Sequence, residues 1–430
     1  MFTTACELPM AAVLLKQFQG SHCAKCFCSI GNNEQSVTCD DCLEVSYCSL
    51  KCQRGDWKSL HSKECVILQS QKGKMSMTST TRLCIRVILS NSEAMQKHSF
   101  NGTAFHDLET NYTEFRSSSA HNEFISNIIA IISTAGNNYL SGKIDNIALG
   151  GMICSVLCNS FSIIDEERVE PIGSGVYVGL AKHNHSCSSN SHIVFNGLEA
   201  VLRSASNVYT HSITISYVSR MLPTSERRKA IRGVHFINCC CEMCLNEDQD
   251  LIGLASRCPD PQCTGYVKGT VCITCGKHSL VSPEEVSQTT TDLIEKMEKF
   301  YVVNSTSAYG GTPDEFSKLC HLRAEYGKIL AECNVAILQL DEQIAFCVSL
   351  LPDEALPKNF DELAVKGLEH YISRLHLGSP EVTRRLFIAC KCLVRGPNKP
   401  DIQLIRRAYE SSCCSHGEAH MISKFFSNLL

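Results

Sequence analysis

Lys182-His183-Asn184-His185-Ser186-Cys187 is the stretch on which the reading of this chain turns, because it sets three chemistries side by side. Asn184 and His185 offer a carboxamide and an imidazole, polar but uncharged near neutrality and suited to orienting a bound cofactor through hydrogen bonds. Cys187 is a soft metal ligand. Downstream, Ile213-Thr214-Ile215-Ser216-Tyr217 alternates β-branched residues and reads as a strand that ends in a phenol. Cys239-x-Cys241-x2-Cys244 then supplies three thiolates without a fourth. Structural zinc takes four ligands in a tetrahedron, and Cys187 is the candidate that completes the set.

The same logic applies near the amino terminus. The series Cys23-x2-Cys26, Cys39-x2-Cys42-x5-Cys48-x3-Cys52-x8-His61-x3-Cys65 contains eight ligands, enough for two closed tetrahedral sites, and leaves Cys28 over. A third cysteine-rich stretch pairs Cys258 and Cys263 with Cys272 and Cys275 around Gly265 and Gly269. It predicts a further zinc ribbon, against the alternative of free buried thiols. The chain has 28 cysteines, and no basic, apolar and cleavage-site series precedes them, so a reducing compartment and metal binding are expected in place of disulfides. Gln53 and Trp57 stand four residues apart on a predicted helix and share a face. Trp57 is the chain's only tryptophan.

At 430 residues the chain has room for two or three domains and an ample core. A net charge of −4 argues against a dominant nucleic-acid or membrane field, and so against direct DNA binding. The longest apolar runs, such as Ala11 to Leu15, fall far short of the roughly 20 residues of a membrane helix. Helical spacing of Phe124, Ile125, Ile128, Ile129 and Ile132 predicts helices between Thr81 and Gly136, with loops around Ser90 to Thr103 and Asn111 to Ser119. Gly150 to Val208 reads as short strands, with Phe161, Val176, Tyr177, Ile193, Val194, Phe195, Val201 and Leu202 as core. His183, His192 and His211 lack ligand-spaced neighbours and read as structural. From Pro283 onward the pattern is helical, and Leu386–Val394 with Ile402–Tyr409 reads as a helix pair.

Gly173-Ser174-Gly175-Val176-Tyr177, Asn184 to Cys187, Phe195-Asn196-Gly197, Ser216-Tyr217 and Glu226-Arg227-Arg228 follow one another in an order and spacing that resemble the SMYD family of SET and MYND domain-containing protein-lysine methyltransferases. The resemblance implies an α+β fold: a small-stranded SET β-fold split by a zinc-binding MYND module and a helical insert, a cysteine-rich post-SET zinc site, and an all-helical, TPR-like carboxyl-terminal domain. The implied segments are 1–22 (end of the amino-terminal SET part), 23–65 (MYND), 66–149 (insert), 150–235 (SET core), 236–280 (post-SET region with a candidate ribbon) and 281–430 (helical domain). It implies Cys23, Cys26, Cys48 and Cys52 on one ion, and Cys39, Cys42, His61 and Cys65 on the other.

What such a protein does follows from the same resemblance. S-adenosylmethionine gives a methyl group to a neutral lysine of a histone or non-histone protein by in-line displacement, a reaction that needs positioning and a dry channel more than a nucleophilic side chain. Asn184, His185 and Tyr217 are the implied cofactor residues, Tyr217 the implied catalytic one. Gln53 and Trp57 resemble a groove for proline-rich peptides, or simply pack the zinc module. Three zinc ions, a fourth at Cys258, Cys263, Cys272 and Cys275, and residence in cytoplasm and nucleus complete the expectation.

Some features depart from the family. Gly20 is the only glycine before Cys23, so the family's amino-terminal Gly-x-Gly turn is expected upstream of Met1 or absent. Thr210-His211-Ser212 replaces an acidic Gly-Glu-Glu, Ser189 a proline, and His235 a second active-site tyrosine. An imidazolium at His235 would oppose a sulfonium. A catalytically impaired zinc scaffold that binds partner proteins or regulates transcription is the alternative.

Overall fold

The computed structural model describes residues 2–31, 35–73, 77–94, 103–136, 145–167, 169–204, 213–304, 311–396 and 400–430. Thr210-His211-Ser212 lies outside them. Strands β1 (Phe2–Glu7) and β2 (Ala11–Leu14) open the chain, and β3 (Val37–Thr38) with β4 (Ser46–Tyr47) forms a small hairpin in the cysteine-rich module. The middle of the chain adds β5 (Ser160–Asp165), β6 (Glu170–Val176), β7 (Asn184–His185), β8 (Ser191–Asn196), β9 (Glu199–Ser204) and β10 (Thr214–Ile215). Short strands β11 (Ser256–Arg257), β12 (Tyr266–Lys268) and β13 (Val271–Cys272) follow.

The amino-terminal strands belong to sheets completed far downstream: the orders are β1-β9-β8 and β2-β6-β5, with β7 and β10 paired in parallel. Between β8 and β9 the Gly197-Leu198 hairpin needs a left-handed residue, and Gly197 takes φ 62° without a Cβ penalty. Leu14, Phe18, Phe27, Tyr177, Phe195 and Leu202 meet in one core beneath these sheets. Val176 and Val194 are buried as well, whereas Phe161, Ile193 and Val201 are half-buried.

Gly173 and Gly175 serve packing. A Cβ on Gly173 would lie 2.3 Å from the Phe27 ring and 2.6 Å from the Val13 carbonyl, so its absence lets the zinc module press onto β6. Gly175 is less crowded, with Ile163, Pro9 and Tyr177 atoms at 3.2 Å.

Two stretches read as loop are helical in part, and residues 95–102 of the first lie outside the described residues. Helix Ser79–Ala94 runs through Ser90, and Tyr112–Ser117 forms a helix where Asn111–Ser119 reads as loop. Phe115 explains the second case: buried edge-on against Phe236 and His121, it gives a polar segment an apolar anchor. The strand pattern expected from Gly150 begins only at Ser160, because Asn146–Asn159 is a helix capped by the Asp145 carboxylate and buried through Leu149, Ile153 and Val156. That helix crosses the expected boundary at residue 149.

The carboxyl-terminal part is helical, with Pro283–Asn304, Pro313–Tyr326, Val335–Leu350, Pro380–Leu393 and Ile402–Ser415 its longest elements. Helix starts carry the expected chemistry: Thr312 and Glu315 make a reciprocal capping box around Pro313, and Asn334, Ser379 and Asp401 cap the next three. Helices Pro380–Leu393 and Ile402–Ser415 pack on each other as the predicted pair. Two bidentate ion pairs fasten this region to the strands: Arg384 to Glu166 at 2.8 and 2.6 Å, and Arg220 to Glu381 at 2.9 and 2.6 Å. Among the described residues no helix is long and apolar enough to cross a membrane.

Candidate active site and metal centres

A cleft of about 880 Å³ opens between the strands, the Tyr112–Ser117 region and helix Pro380–Leu393. Asn184, Tyr217, His235, Phe161 and Phe195 line it, and Ser189 lies at its wall. The parallel pairing Thr214↔Asn184 and Ile215↔His185 joins the two segments that the sequence separates by some thirty residues.

The contacts there are specific. His185 Nδ1 accepts the Tyr217 backbone N–H at 3.0 Å, which leaves Nε2 3.3 Å from the Cys187 sulfur. The Tyr217 hydroxyl donates to the His183 carbonyl at 2.6 Å. Burial, then the nearby His235 and Arg227, pushes His185 down to about 4, and burial also lowers His235. Burial thus disfavours the imidazolium form of His235, the form whose charge would oppose a sulfonium. His183 and His192 act structurally: the His183 carbonyl positions Tyr217, and His192 Nε2 bonds the Ser415 carbonyl at 2.9 Å. His211 is outside the described residues.

Glu7 braces this floor from the amino terminus. Its carboxylate accepts the Gly179 and Leu180 amides, each at 3.0 Å, and so ties β1 to the turn that leads into Asn184. Among the described residues the exposed Asn184 carboxamide has no partner and lines the cleft, where its donors and acceptor are open to a ligand. Asn184, the His183–His185 backbone and Tyr217 fit an amino-acid-like cofactor such as S-adenosylmethionine.

The cysteines converge in the predicted sets. Cys23 with Cys26, Cys48 and Cys52; Cys39 with Cys42, His61 and Cys65; Cys187 with Cys239, Cys241 and Cys244; and Cys258 with Cys263, Cys272 and Cys275 each bring their ligand atoms within 4.8 Å of one another. Sulfur separations such as 3.7 Å for Cys26–Cys48, 3.8 Å for Cys39–Cys65 and 3.6 Å for Cys187–Cys244 match the edge of a tetrahedron. Zn–S bonds of about 2.3 Å give an edge of about 3.8 Å. No cysteine is paired in a disulfide. Cys28 sits 3.2 Å from the Cys26 sulfur, outside the four-ligand set.

Support around the ligands was not legible in the spacing. His61 Nδ1 lies 3.0 Å from Glu64, which directs Nε2 toward Cys42 at 3.6 Å. Burial alone would raise the Glu64 pKa, but the guanidiniums of Arg82 and Arg86 override it and hold the carboxyl well below the usual range. Arg86 also reaches Asp56 at 2.7 Å, and Tyr47 donates to Asp56 at 3.0 Å. Helix Ser79–Ala94 thereby anchors the zinc module through buried charge.

At the other end Arg227, from Glu226-Arg227-Arg228, is 1% exposed and donates to the Leu222 carbonyl at 2.6 Å and approaches the Cys244 sulfur at 3.6 Å. Arg228 holds the Cys239 carbonyl at 3.0 Å. The motif therefore braces the zinc knuckle. Trp57 is 41% exposed at the start of a π-helical turn (Trp57–His61) that follows helix Leu50–Asp56, with Gln53 half-buried one turn earlier. Its ring meets His61 edge-on at 5.9 Å, so the indole both packs the module and stays partly open to solvent.

Residues 23–65 match the MYND finger family. The chain is similar to the N-lysine methyltransferase SMYD2-A of Danio rerio, 26% identical over 429 residues that cover 93% of this chain and 90% of the relative. It is also similar to the N-lysine methyltransferase SMYD2-B of Xenopus laevis, 26% identical over 84% of this chain and 77% of that one. The histone-lysine N-methyltransferase SMYD3 of Mus musculus is 29% identical over 56% of each chain. The MYND ligands, the paired Asn184 and Tyr217 segments and the helical carboxyl-terminal region lie in one fold, and over most of its length this chain is similar to SMYD lysine methyltransferases.

Proposed function

We propose that the protein is a protein-lysine N-methyltransferase of the SET class that uses S-adenosylmethionine. The observation that carries the reading is the parallel pairing of Asn184-His185 with Thr214-Ile215, which delivers Tyr217 and the free Asn184 carboxamide to the same cleft. When bound, the cofactor supplies an electrophilic methyl group. The chain's own part is to hold and orient. Asn184 and the backbone around His183–His185 bind the cofactor, while the Tyr217 ring forms a channel wall with Phe161 and Phe195 nearby. A lysine entering beside these rings must be neutral to accept a methyl group. With a free pKa of about 10.4, losing its proton at pH 7 costs about 4 kcal/mol, and burial of the amine in an apolar channel offsets part of that.

The substrate is a lysine of a histone or non-histone protein. The MYND module recruits partners through Gln53 and Trp57, with proline-rich peptides as the ligand class, and the protein works in cytoplasm and nucleus. Calorimetric titration with S-adenosylmethionine, followed by mass spectrometry of a lysine-peptide array, tests the reading. Saturable cofactor binding and a 14-Da increment on lysine, roughly the mass of one methylene, support it.

One contact favours the alternative of a zinc scaffold with impaired catalysis. His235 stacks on Tyr217 at 4.5 Å, where the family carries a second tyrosine, so a phenol is missing from the channel. Absence of cofactor binding, with zinc content and fold intact, selects that alternative.

A further inference from the structure

The function proposed above makes no use of Cys258, Cys263, Cys272 and Cys275. Their sulfurs lie within 4.8 Å of one another, with 3.4 Å between Cys258 and Cys275 and 3.7 Å between Cys263 and Cys272. The turns are built for thiolates: the Asp260 and Gly265 amides point at the Cys258 and Cys263 sulfurs, each at 3.4 Å. A Cβ at Gly265 would lie 2.2 Å from the Thr274 hydroxyl and 3.2 Å from the Cys272 sulfur, so only glycine lets the two turns close on each other.

Apolar packing gives this unit little beyond the buried Val267. Strands β11, β12 and β13 are two or three residues long, and their local core consists of Ala255, Ala331 and Cys333 with Ile252 and Tyr266 beside them. Sheets this small need a staple.

What the unit grips lies outside it. The Arg257 amide donates to the Ile329 carbonyl at 2.8 Å, and the Ala331 amide to the Ala255 carbonyl at 3.1 Å. The Arg257 side chain holds the Gly327 carbonyl at 3.0 Å, and the Asn334 side chain the Ala255 carbonyl at 3.3 Å. Residues 327–334 connect helices Pro313–Tyr326 and Val335–Leu350. From the second helix Gln339 reaches the Met221 carbonyl at 3.3 Å, beside the cleft residue Arg220. Hydrogen bonds and the backbone between them thus connect the four-thiol unit to the turn after Tyr217.

We propose that Cys258, Cys263, Cys272 and Cys275 hold a zinc ion that fastens the 327–334 connection, and with it the carboxyl-terminal helices, to the segment behind the cleft. The metal organises a clamp that meets, at Met221 and Leu222, the segment Arg227 ties to the Cys187 centre. Nothing in it requires methyl transfer. Two of the four thiols are half-buried and Cys275 is exposed, so this ion is also the one most open to chelators.

Elemental analysis and hydrogen exchange of the full chain test it. Purified protein should carry four zinc ions per chain, one per ligand set, and three in Cys272→Ser. In that variant the Arg257 and Ala331 amides should exchange at least about tenfold faster, while MYND amides are unchanged. Should Cys272→Ser fail to fold, the exposed position Cys275→Ser and stepwise chelation of the unmodified chain replace it: the first ion released must deprotect the same two amides. Three ions or fewer in the unmodified protein overturn the site. Loss of the fourth ion without faster exchange at Arg257 and Ala331 overturns the clamp.

Discussion

The rings of Tyr217 and His235 stack 4.5 Å apart at a tilt of 42°, with the Tyr217 hydroxyl committed to the His183 carbonyl. That hydroxyl shapes the backbone next to Asn184 and presents its ring to the cleft. Tyr217→Phe should lower kcat by about 10- to 100-fold and change the Kd for S-adenosylmethionine by less than about threefold, because the interaction matters chiefly in the transition state. Single-turnover kinetics beside calorimetry check the split.

His235→Tyr restores a phenol against Tyr217. Because burial disfavours the charged form of His235, the gain should come from the hydroxyl and not from removal of charge. Turnover should rise several-fold, about 1 kcal/mol for one added hydrogen bond, with the same factor at pH 7 and pH 8. A gain confined to lower pH would show that the imidazole's charge was the obstacle.

Glu64 is 1% exposed between Arg82, Arg86 and His61. Glu64→Gln leaves two buried guanidiniums short of charge and should cost about 3–5 kcal/mol. It should also loosen His61 and lower zinc retention in the module by about 10-fold or more. Thermal unfolding and metal release to a colorimetric chelator measure the two effects.

Gly173→Ala forces a Cβ to 2.3 Å from Phe27 and 2.6 Å from the Val13 carbonyl. The expected loss is about 2–3 kcal/mol, typical of overpacking. Adding Phe27→Leu should recover only part, since the backbone carbonyl cannot retreat. Denaturant midpoints of the single and double variants distinguish the two clashes.

His192 is half-buried against the Ser415 carbonyl, its pKa pushed from 6.5 down to about 4 mainly by desolvation, with Glu381, His416 and Arg220 as its titratable or charged neighbours. The unfolded chain binds a proton that the folded one refuses, so stability present above pH 6.5 falls as the pH drops toward 4. Over that window this group removes up to about 3 kcal/mol. In His192→Gln the fall in Tm between pH 6.5 and 5 should be shallower than in the unmodified chain, and the difference of the two curves isolates the histidine from acid loss of zinc.

Trp57→Ala should weaken binding of a proline-rich peptide while zinc content stays constant, since the exposed indole contacts His61 by ring packing alone. Fluorescence anisotropy with a labelled peptide and elemental analysis settle it; lost zinc would mean that the indole chiefly packs the module.

Cysteine spacing by itself marked the candidate ligands, because a tetrahedral ion needs short local pairs that leave a regular trace along the chain; the division of the first eight into two interleaved sets came from the resemblance to MYND modules. Asn184 to Cys187, the strand leading to Tyr217 and the helical tail were legible in the same way, from local pattern. Only the tertiary structure decided how these parts meet. β1 and β2 find partners more than 150 residues on, a pairing that alternation cannot specify because any half-buried strand satisfies it. Tyr112–Ser117 is helical through Phe115 and its long-range contact with Phe236, against a local composition that favours a loop. Glu64 with Arg82 and Arg86, Arg227 at the knuckle and Arg384 on Glu166 look like surface charges in the sequence. Their pairing depends on which faces are desolvated, and burial, which makes such a charge costly alone and binding when matched, exists only once the chain has folded.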